Sequence, residues 1–222
     1  MAVTVVKVGG SLLEDRRHLA RLCLELERLA RVHKILAVPG GSIFADVVRD
    51  VDRTVHLSNI AAHRMAILAM DQFGLLLSDI ARRARPVHTL TLARKHMSRG
   101  ILPILLPSRL VLRWDRVRPS WDVTSDSITA YVAELLHARR LILATDVDGI
   151  FTADPKVNRK AKLMKQVSIS QLLRWNKRTS IDRFLPRMLG SGVDCYVVNG
   201  KHPDRVASIL EGSAATYTRV TS

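Results

Sequence analysis

The chain has 222 residues, of which 47% are hydrophobic, and this length and composition suit one well-cored domain and exclude a disordered chain. Its formal net charge of +15 is spread over the whole length, so we expect a basic surface that handles small anions rather than nucleic acid. The longest apolar runs fall short of the roughly 18 residues of a membrane span, and Met1 leads directly into a strand-like segment, which together predict a cytoplasmic protein without a membrane partner.

The first predicted elements form a strand, a helix and a second strand. Val3–Val8 is apolar and β-branched except at Lys7, and two glycines end it. Apolar residues recur at spacings of three and four over residues 19–30, which predicts a helix. A strand over residues 35–38 follows and ends in the turn at residues 39–42. This spacing predicts a right-handed βαβ unit and therefore a mainly parallel sheet.

The rest of the chain continues the alternation of helices and strands. Helices are predicted over residues 59–85, 125–138, 168–174, 181–189 and 203–210, and strands over residues 101–106, 141–144 and 195–198. Neither an internal repeat nor a Pro- and Gly-rich linker interrupts them, so we expect a single domain over residues 1–222. Cys23 and Cys195 are isolated among apolar residues, which predicts reduced core cysteines rather than a disulfide or a metal site.

Both early strands end in a glycine turn that opens a helix. Each turn offers unpaired backbone N–H groups at the positive end of a helix dipole, an arrangement that binds phosphate oxygens. Lys7 can place its ammonium over the same anion. A lysine inside an apolar strand is costly without a partner, so a purely structural lysine that reaches the surface is the less favoured alternative.

Two later segments carry Asp, Ser and Thr residues at strand or helix ends. The Asp- and Gly-rich turn at residues 145–156 follows a buried strand, a position where open α/β sheets bind nucleotides. Thr124, Ser125 and Asp126 precede an apolar helix. They either only cap that helix or place Asp126 in a cleft, where it orients cationic side chains.

Two phosphate-binding turns and a nucleotide turn predict direct phosphoryl transfer between two bound anions. That reaction needs positioning and charge neutralisation more than a protein nucleophile. The sequence lacks G-x-S-x-G, H-E-x-x-H and the P-loop motif G-x-x-x-x-G-K-[ST], and the first glycine turn lacks the third glycine of the dinucleotide fingerprint. We therefore expect no protein-bound metal cluster.

In this order, the motifs resemble those of the amino acid kinase superfamily, which includes acetylglutamate, uridylate and isopentenyl phosphate kinases. The matching segments are K-V-G-G-S at residues 7–11, P-G-G-S at 39–42, T-S-D-S at 124–127 and T-D-V-D-G-I-F-T-A-D-P at 145–155. The resemblance implies a three-layer αβα sandwich with a mainly parallel central sheet, ATP with Mg²⁺, and a homo-oligomer. It also implies an acceptor-binding lobe over about residues 1–130 and a nucleotide-binding lobe over about 131–222.

Within the superfamily, residues 39–52, 62–74, 181–186 and 195–206 look most like the kinases of methanofuran biosynthesis. Those enzymes convert (5-(aminomethyl)furan-3-yl)methyl phosphate to its diphosphate. A uridylate kinase, an isopentenyl phosphate kinase and a non-catalytic nucleotide-binding protein of the same fold are the alternatives. The amine of a furan acceptor favours a carboxylate partner, and the sequence offers Asp46, Asp50 and Asp52 without choosing among them.

The resemblance also implies roles for individual residues. The implied catalytic residues are Lys7, which would bridge the donor and acceptor phosphates, Asp126 and Arg183. The implied nucleotide-binding residues are Gly9, Gly10, Ser11, Thr145, Asp146, Asp148, Gly149, Phe151, Asp154, Pro155 and Lys156. The implied acceptor-binding residues are Pro39, Gly40, Gly41, Ser42, Thr124 and Ser125. Two positions depart from the family: Ser42 where a third glycine is common, and Arg183 where a lysine is usual, which is not a neutral replacement.

Overall fold

A computed structural model describes residues 2–112, 120–155, 157–175, 179–190 and 192–221 of the chain. In these residues the strands form one eight-stranded sheet in the order β3-β4-β2-β1-β5-β7-β8-β6. The strands are β1 Val3–Val8, β2 Lys34–Pro39, β3 Arg85–Val87, β4 Pro103–Leu105, β5 Arg140–Thr145, β6 Gln166–Ser168, β7 Asp194–Asn199 and β8 Thr218–Thr221. All described neighbours pair in parallel except β7 and β8, so the prediction of a mainly parallel sheet is confirmed.

Helices cover both faces of the sheet. They are α1 Arg16–Leu29, α2 Ser42–Val55, α3 Asn59–Ile80, α4 Leu90–Met97, α5 Ser108–Val111, α6 Ser125–Leu135, α7 Ile169–Trp175, α8 Leu185–Met188 and α9 Pro203–Glu211, with a short 3₁₀ helix at Gly10–Glu14. One core joins α1 and α9 to the sheet, and the other joins α4, α6 and α7 to its opposite face. Because both faces are buried, the central strands are almost continuously apolar, and the predicted three-layer αβα sandwich is confirmed.

The long helix α3 contributes to both cores. Ile67 and Met70 pack on one face of the sheet, and Phe73 and Leu77 pack on the other. Gly74 lies between them, where a Cβ would stand 2.5 Å from Leu106 Cδ2.

Among the described helices, α3 alone is long and apolar enough to cross a membrane. A core helix of a soluble protein passes the same test, and α3 packs against α2, β2 and β4.

The structure corrects two of the predicted helices. The helix expected over residues 59–85 ends at Ile80, and the chain then enters the edge strand β3, where Pro86 cannot donate a helical hydrogen bond. The helix expected over residues 181–189 is confined to α8 because the carboxylate of Asp182 accepts hydrogen bonds from the backbone N–H groups of Phe184 and Leu185. Helices α4 and α5 and the short strands β3, β6 and β8 were not predicted.

Both cysteines are buried and unpaired, so the prediction of reduced core cysteines is confirmed. Burial raises the pKa of the Cys23 thiol to about 12. Burial also raises the pKa of Cys195, with a smaller contribution from the negative charge of Asp126. Both thiols are therefore protonated and unreactive at neutral pH.

Candidate functional site

A cleft of about 1300 Å³ lies at the carboxyl edge of the central strands. The turns after β1, β2 and β5 and the N-terminus of α6 all contribute to its lining. This is the position at which open parallel sheets bind ligands, because the strand-to-helix turns there present free backbone N–H groups. The structure thus brings the separate motifs of the sequence to a single cavity.

An ion pair between Lys7 and Asp126 lies at the floor of the cleft. Lys7 Nζ is 2.8 Å from Asp126 Oδ1, and the two residues are only 8% and 6% exposed. Asp126 Oδ1 has no hydrogen bond of ordinary geometry within the described part of the chain, so the ammonium alone balances its charge. A Cβ on Gly9 would stand 3.6 Å from Nζ, which places the lysine head beneath the first glycine turn.

The two glycine turns are in direct contact. A Cβ on Gly10 would stand 2.4 Å from the backbone nitrogen of Ser42, so only glycine allows this approach. Ser42 Oγ donates a hydrogen bond of 3.2 Å to the carbonyl of Gly10. Ser42 itself has φ of +54°, a conformation that favours glycine and is strained for serine. Two anions bound at these turns would lie next to each other.

Only some of the residues predicted from the two turns line the cleft. Gly10, Ser11, Gly41 and Ser42 line it. Gly9 and Gly40 lie behind them in the backbone of the turns, where their N–H groups donate to Ala144 and Val8. Pro39 is absent from the lining; its ring lies 3.2 Å from a Cβ built on Gly74.

The Asp- and Gly-rich turn after β5 forms the other half of the cleft. Its lining residues are Thr145, Asp146, Val147, Gly149, Phe151, Ala153, Asp154 and Pro155. Gly149 has φ of +153°, and a Cβ there would stand 2.4 Å from Thr218 Oγ1. This turn is therefore packed tightly on β8. The predicted nucleotide contact Lys156 lies outside the described residues.

Asp148 does not line the cleft. Its Oδ1 accepts hydrogen bonds from Arg205 at 2.6 Å and from Asn199 at 3.0 Å. Burial alone would raise the pKa of Asp148, but these bonds outweigh it and lower the pKa, so the carboxylate stays ionised. In this structure the side chain ties the turn to α9 and β7 rather than facing a ligand.

The T-S-D-S segment both caps α6 and contributes to the cleft. Thr124 Oγ1 accepts a hydrogen bond of 3.4 Å from the backbone of Asp126, while Thr124, Ser125 and Asp126 all line the cavity. The two alternatives left open by the sequence are therefore compatible. Arg183, by contrast, is not among the lining residues, and its guanidinium pairs with Asp122 at the surface.

Sequence reasoning missed several side chains of the cleft. Arg16 lines it at the first position of α1 and makes no ion pair or hydrogen bond with the described residues. A cation at a helix N-terminus opposes the helix dipole, and this was the signal available in the sequence. Arg49 also lines the cleft, with its guanidinium 5.0 Å from the ring centre of Trp121.

His63, on the helix that the sequence predicts over residues 59–85, also lines the cleft. Burial lowers the pKa of its imidazole, which is therefore neutral at pH 7 and able both to donate and to accept a hydrogen bond. Met65, two residues later, lies partly exposed and outside the lining.

A model of the amino acid kinase family matches residues 2–199. The (5-(aminomethyl)furan-3-yl)methyl phosphate kinase of Methanocaldococcus jannaschii is 36% identical over 219 residues, which cover 97% of this chain and 96% of that protein. The uridylate kinase of Methanococcoides burtonii is 25% identical over 230 residues, which cover 98% and 94%.

A solved structure has the same fold. The UMP kinase of Ureaplasma parvum superposes with a TM-score of 0.79 and covers 100% of this chain and 99% of its own. Its sequence is 18% identical, so this likeness bears on the fold alone.

Proposed function

The chain belongs to the amino acid kinase family, and we propose on that premise that its acceptor is (5-(aminomethyl)furan-3-yl)methyl phosphate, which it converts to the diphosphate. The protein is an ATP-dependent kinase that acts on a phosphate acceptor. The observation that carries the choice of acceptor is the 36% identity to the Methanocaldococcus jannaschii kinase over nearly the full length of both chains.

The proposed reaction joins two anions. An oxygen of the acceptor phosphate forms a bond to the γ-phosphorus of ATP, the bond from that phosphorus to the β–γ bridging oxygen breaks, and ADP leaves with the electron pair. Because both reactants are negatively charged, catalysis consists mainly of holding them in line and neutralising charge. A buried ammonium at the meeting point of two anion-binding turns is suited to that task.

We assign the two halves of the cleft to the two substrates. Gly10 and Ser11 would bind the ATP phosphates, with Gly9 in the backbone behind them and the turn from Thr145 to Pro155 around the rest of the nucleotide. Gly41 and Ser42 would face the acceptor phosphate, with Gly40 in the backbone behind them, Lys7 between the two anions and Asp126 holding Lys7 in place. The acceptor-binding lobe of about residues 1–130 and the nucleotide-binding lobe of about 131–222 remain part of this proposal. The predicted role of Arg183 would require it to leave Asp122.

Mg²⁺ is part of the proposal as a partner of ATP. Within residues 2–112, 120–155, 157–175, 179–190 and 192–221, no group of three or more Asp, Glu, His or Cys side chains is arranged to hold a metal ion. Mg²⁺ commonly takes one or two carboxylates and completes its shell with water and substrate phosphates. Asp146 is a cleft carboxylate that fits this use. The bound ion would neutralise phosphate charge.

The acceptor side of the cleft suits a small ring that carries an amine. Ile67, Met70 and Val123 supply an apolar wall, and Trp121 adds an aromatic ring. Asp46 lines the same cavity and supplies a carboxylate. An apolar wall beside an aromatic face and a carboxylate complements a furan with an aminomethyl group.

The structure distinguishes the three candidate carboxylates of α2. Asp46 lines the cleft, where it also pairs with Arg49 at 2.6 Å. Asp50 pairs with Arg53 at 2.9 Å and is absent from the lining. Asp52 accepts a 2.8 Å hydrogen bond from the indole of Trp121. We therefore propose Asp46 as the partner of the acceptor ammonium.

We also propose that the protein is a homo-oligomer that works in the cytoplasm, where ATP is available. The support is a set of exposed apolar side chains along the α2–α3 pair. The set comprises Ile43, Val47, Val55, Ile60, Leu68 and Leu75. Apolar side chains on adjoining helices are typical of surfaces that a second copy covers.

Lys7→Met is expected to lower kcat by about 10²- to 10³-fold, because it removes a charge that stabilises the transition state and keeps the apolar stem. It also leaves Asp126 buried without a counter-charge, which destabilises by about 3–5 kcal/mol. Lys7→Met combined with Asp126→Asn should regain most of that stability and none of the activity, as measured by thermal unfolding and initial rates. Lys34→Met, at the exposed start of β2, is the control. Near-normal turnover of Lys7→Met would refute the role.

The acceptor is tested by supplying ATP with the furan phosphate, UMP or isopentenyl phosphate in parallel and detecting the diphosphate by ³¹P NMR. We expect the highest kcat/KM for the furan phosphate. A higher value for UMP or isopentenyl phosphate would replace the proposed substrate. ATP binding without transfer to any of the three would favour the non-catalytic alternative.

Asp46→Asn is expected to raise KM for the furan phosphate about three- to tenfold, since the lost attraction acts on a partly solvated ammonium. The value of kcat should change little. Asp50→Asn is a matched control, because it removes the same charge from the same helix one turn further from the cleft. Equal effects of the two variants would show that net charge, not recognition of the amine, matters.

Leu68→Asp is expected to reduce the mass in solution to that of a monomer, measured by size-exclusion chromatography with light scattering, because it places a charge in the apolar surface of α3. Leu24→Asp is the control, since Leu24 is similarly exposed but lies on α1. An unchanged mass for Leu68→Asp, or a monomeric wild type, would contradict an interface at this surface.

A further inference from the structure

Among the described side chains near the cleft, Asp182 accepts the most hydrogen bonds, and no part in the reaction has yet been given to it. Asp182 is 3% exposed and lies in the connection between α7 and α8. Its two carboxylate oxygens accept six hydrogen bonds of 2.6–3.1 Å, from Thr124 N, Thr124 Oγ1, Ser127 N, Ser127 Oγ, Phe184 N and Leu185 N. Four of these donors belong to Thr124, the cap of α6, and to Ser127 in its first turn, so they lie on either side of Asp126 in the chain.

The backbone of the same residue fixes the carboxylate of Asp126. Asp182 N donates a 3.0 Å hydrogen bond to Asp126 Oδ2, while Asp126 Oδ1 faces Lys7 Nζ at 2.8 Å. The two oxygens of Asp126 are thus assigned to different partners. With one oxygen held by the backbone, the carboxylate cannot turn away from the ammonium without breaking a buried hydrogen bond.

The segment that carries Asp182 also contacts the nucleotide half of the cleft. Ser180 Oγ donates a 2.9 Å hydrogen bond to the carbonyl of Gly149, and both Thr179 and Ser180 line the cavity. A continuous set of contacts therefore runs from the donor turn through residues 179–182 to Asp126 and Lys7. Each contact in this set is a hydrogen bond or ion pair between groups that are at least partly buried.

The chemistry of the Asp182 site requires a carboxylate. Both oxygens receive only donors, and each oxygen has at least one backbone N–H among them, which cannot reverse its direction. An asparagine of the same shape would place its NH₂ group against a backbone N–H in either orientation. A buried donor without an acceptor is destabilising, so the first turn of α6 and residues 179–185 would shift relative to each other.

We propose that Asp182 is the positioning residue that aims Asp126 at Lys7 and so places the ammonium between the two phosphates. This inference rests on the proposed function, because it assumes that Lys7 and Asp126 are the catalytic pair. Asp182 does not touch either substrate in this assignment. Its effect on the reaction is exerted wholly through Asp126.

The test is a double-mutant cycle with Asp182→Asn and Asp126→Ala, followed by initial-rate kinetics with the phosphate acceptor that the enzyme uses. We expect Asp182→Asn to lower kcat by about 10- to 100-fold, the range seen when residues that orient a reactive group are changed, with KM for ATP within about twofold of wild type. The double variant should be no slower than Asp126→Ala alone, because Asp182 has no other route to the chemistry.

Asp71→Asn is the control for a purely structural carboxylate. Asp71 accepts hydrogen bonds from the backbone and hydroxyl of Ser108 but does not line the cleft. It should lower the unfolding temperature and leave kcat per folded molecule unchanged. Rates are therefore expressed per folded molecule, from the native fraction measured by circular dichroism.

The outcomes separate the two proposals. If Asp126→Ala is slow but Asp182→Asn matches wild type per folded molecule, the positioning role is wrong and the catalytic pair stands. If the effects of the two substitutions multiply in the double variant, Asp182 acts by another route and the inference is again wrong. If Asp126→Ala has normal kcat, the proposed catalytic pair itself is wrong, whatever Asp182→Asn does.

Discussion

The arrangement of the cleft depends on one buried ion pair, between the ammonium of Lys7 and the carboxylate of Asp126. Both charges are removed from water, so each needs the other, and loss of either partner leaves an uncompensated charge in the interior. The fold meets this requirement by placing Lys7 near the end of β1, with β2 and β5 on either side, and Asp126 in the first turn of α6. The ion pair therefore forms only if β1 and α6 keep their positions relative to each other.

The three turns that surround this ion pair, after β1, β2 and β5, are held in place by contacts between residues far apart in the chain. The glycine turns after β1 and β2 touch at Gly10 and Ser42, which brings two anion-binding sites together. The turn after β5 is tied to the C-terminal elements by Asp148 through Arg205, and to β8 by the close approach of Gly149 and Thr218. Late elements of the chain thus hold the nucleotide half of the cleft.

The sequence predicted correctly those structural features that depend on residues close together in the chain. A lysine within an apolar strand, followed by two glycines, predicts both the strand end and a buried cation that needs a partner. The main strands, most of the long helices and the position of the cleft followed from such patterns. The missed elements are the helices α4 and α5 and the strands β3, β6 and β8, which are too short or too polar to show a period. Local pattern alone could not find them.

The sequence by itself determined the family, the order of the main helices and strands, and the chain segments that contribute to the site. Only the tertiary structure decided which side chains in those segments face the cleft. Asp148 faces Arg205, Arg183 pairs with Asp122, and Asp46 lines the cavity, although none of the three differs in local pattern from its neighbours. The physical reason is that a side chain's direction is set by partners distant in the sequence, whose positions exist only once the sheet and its covering helices have assembled.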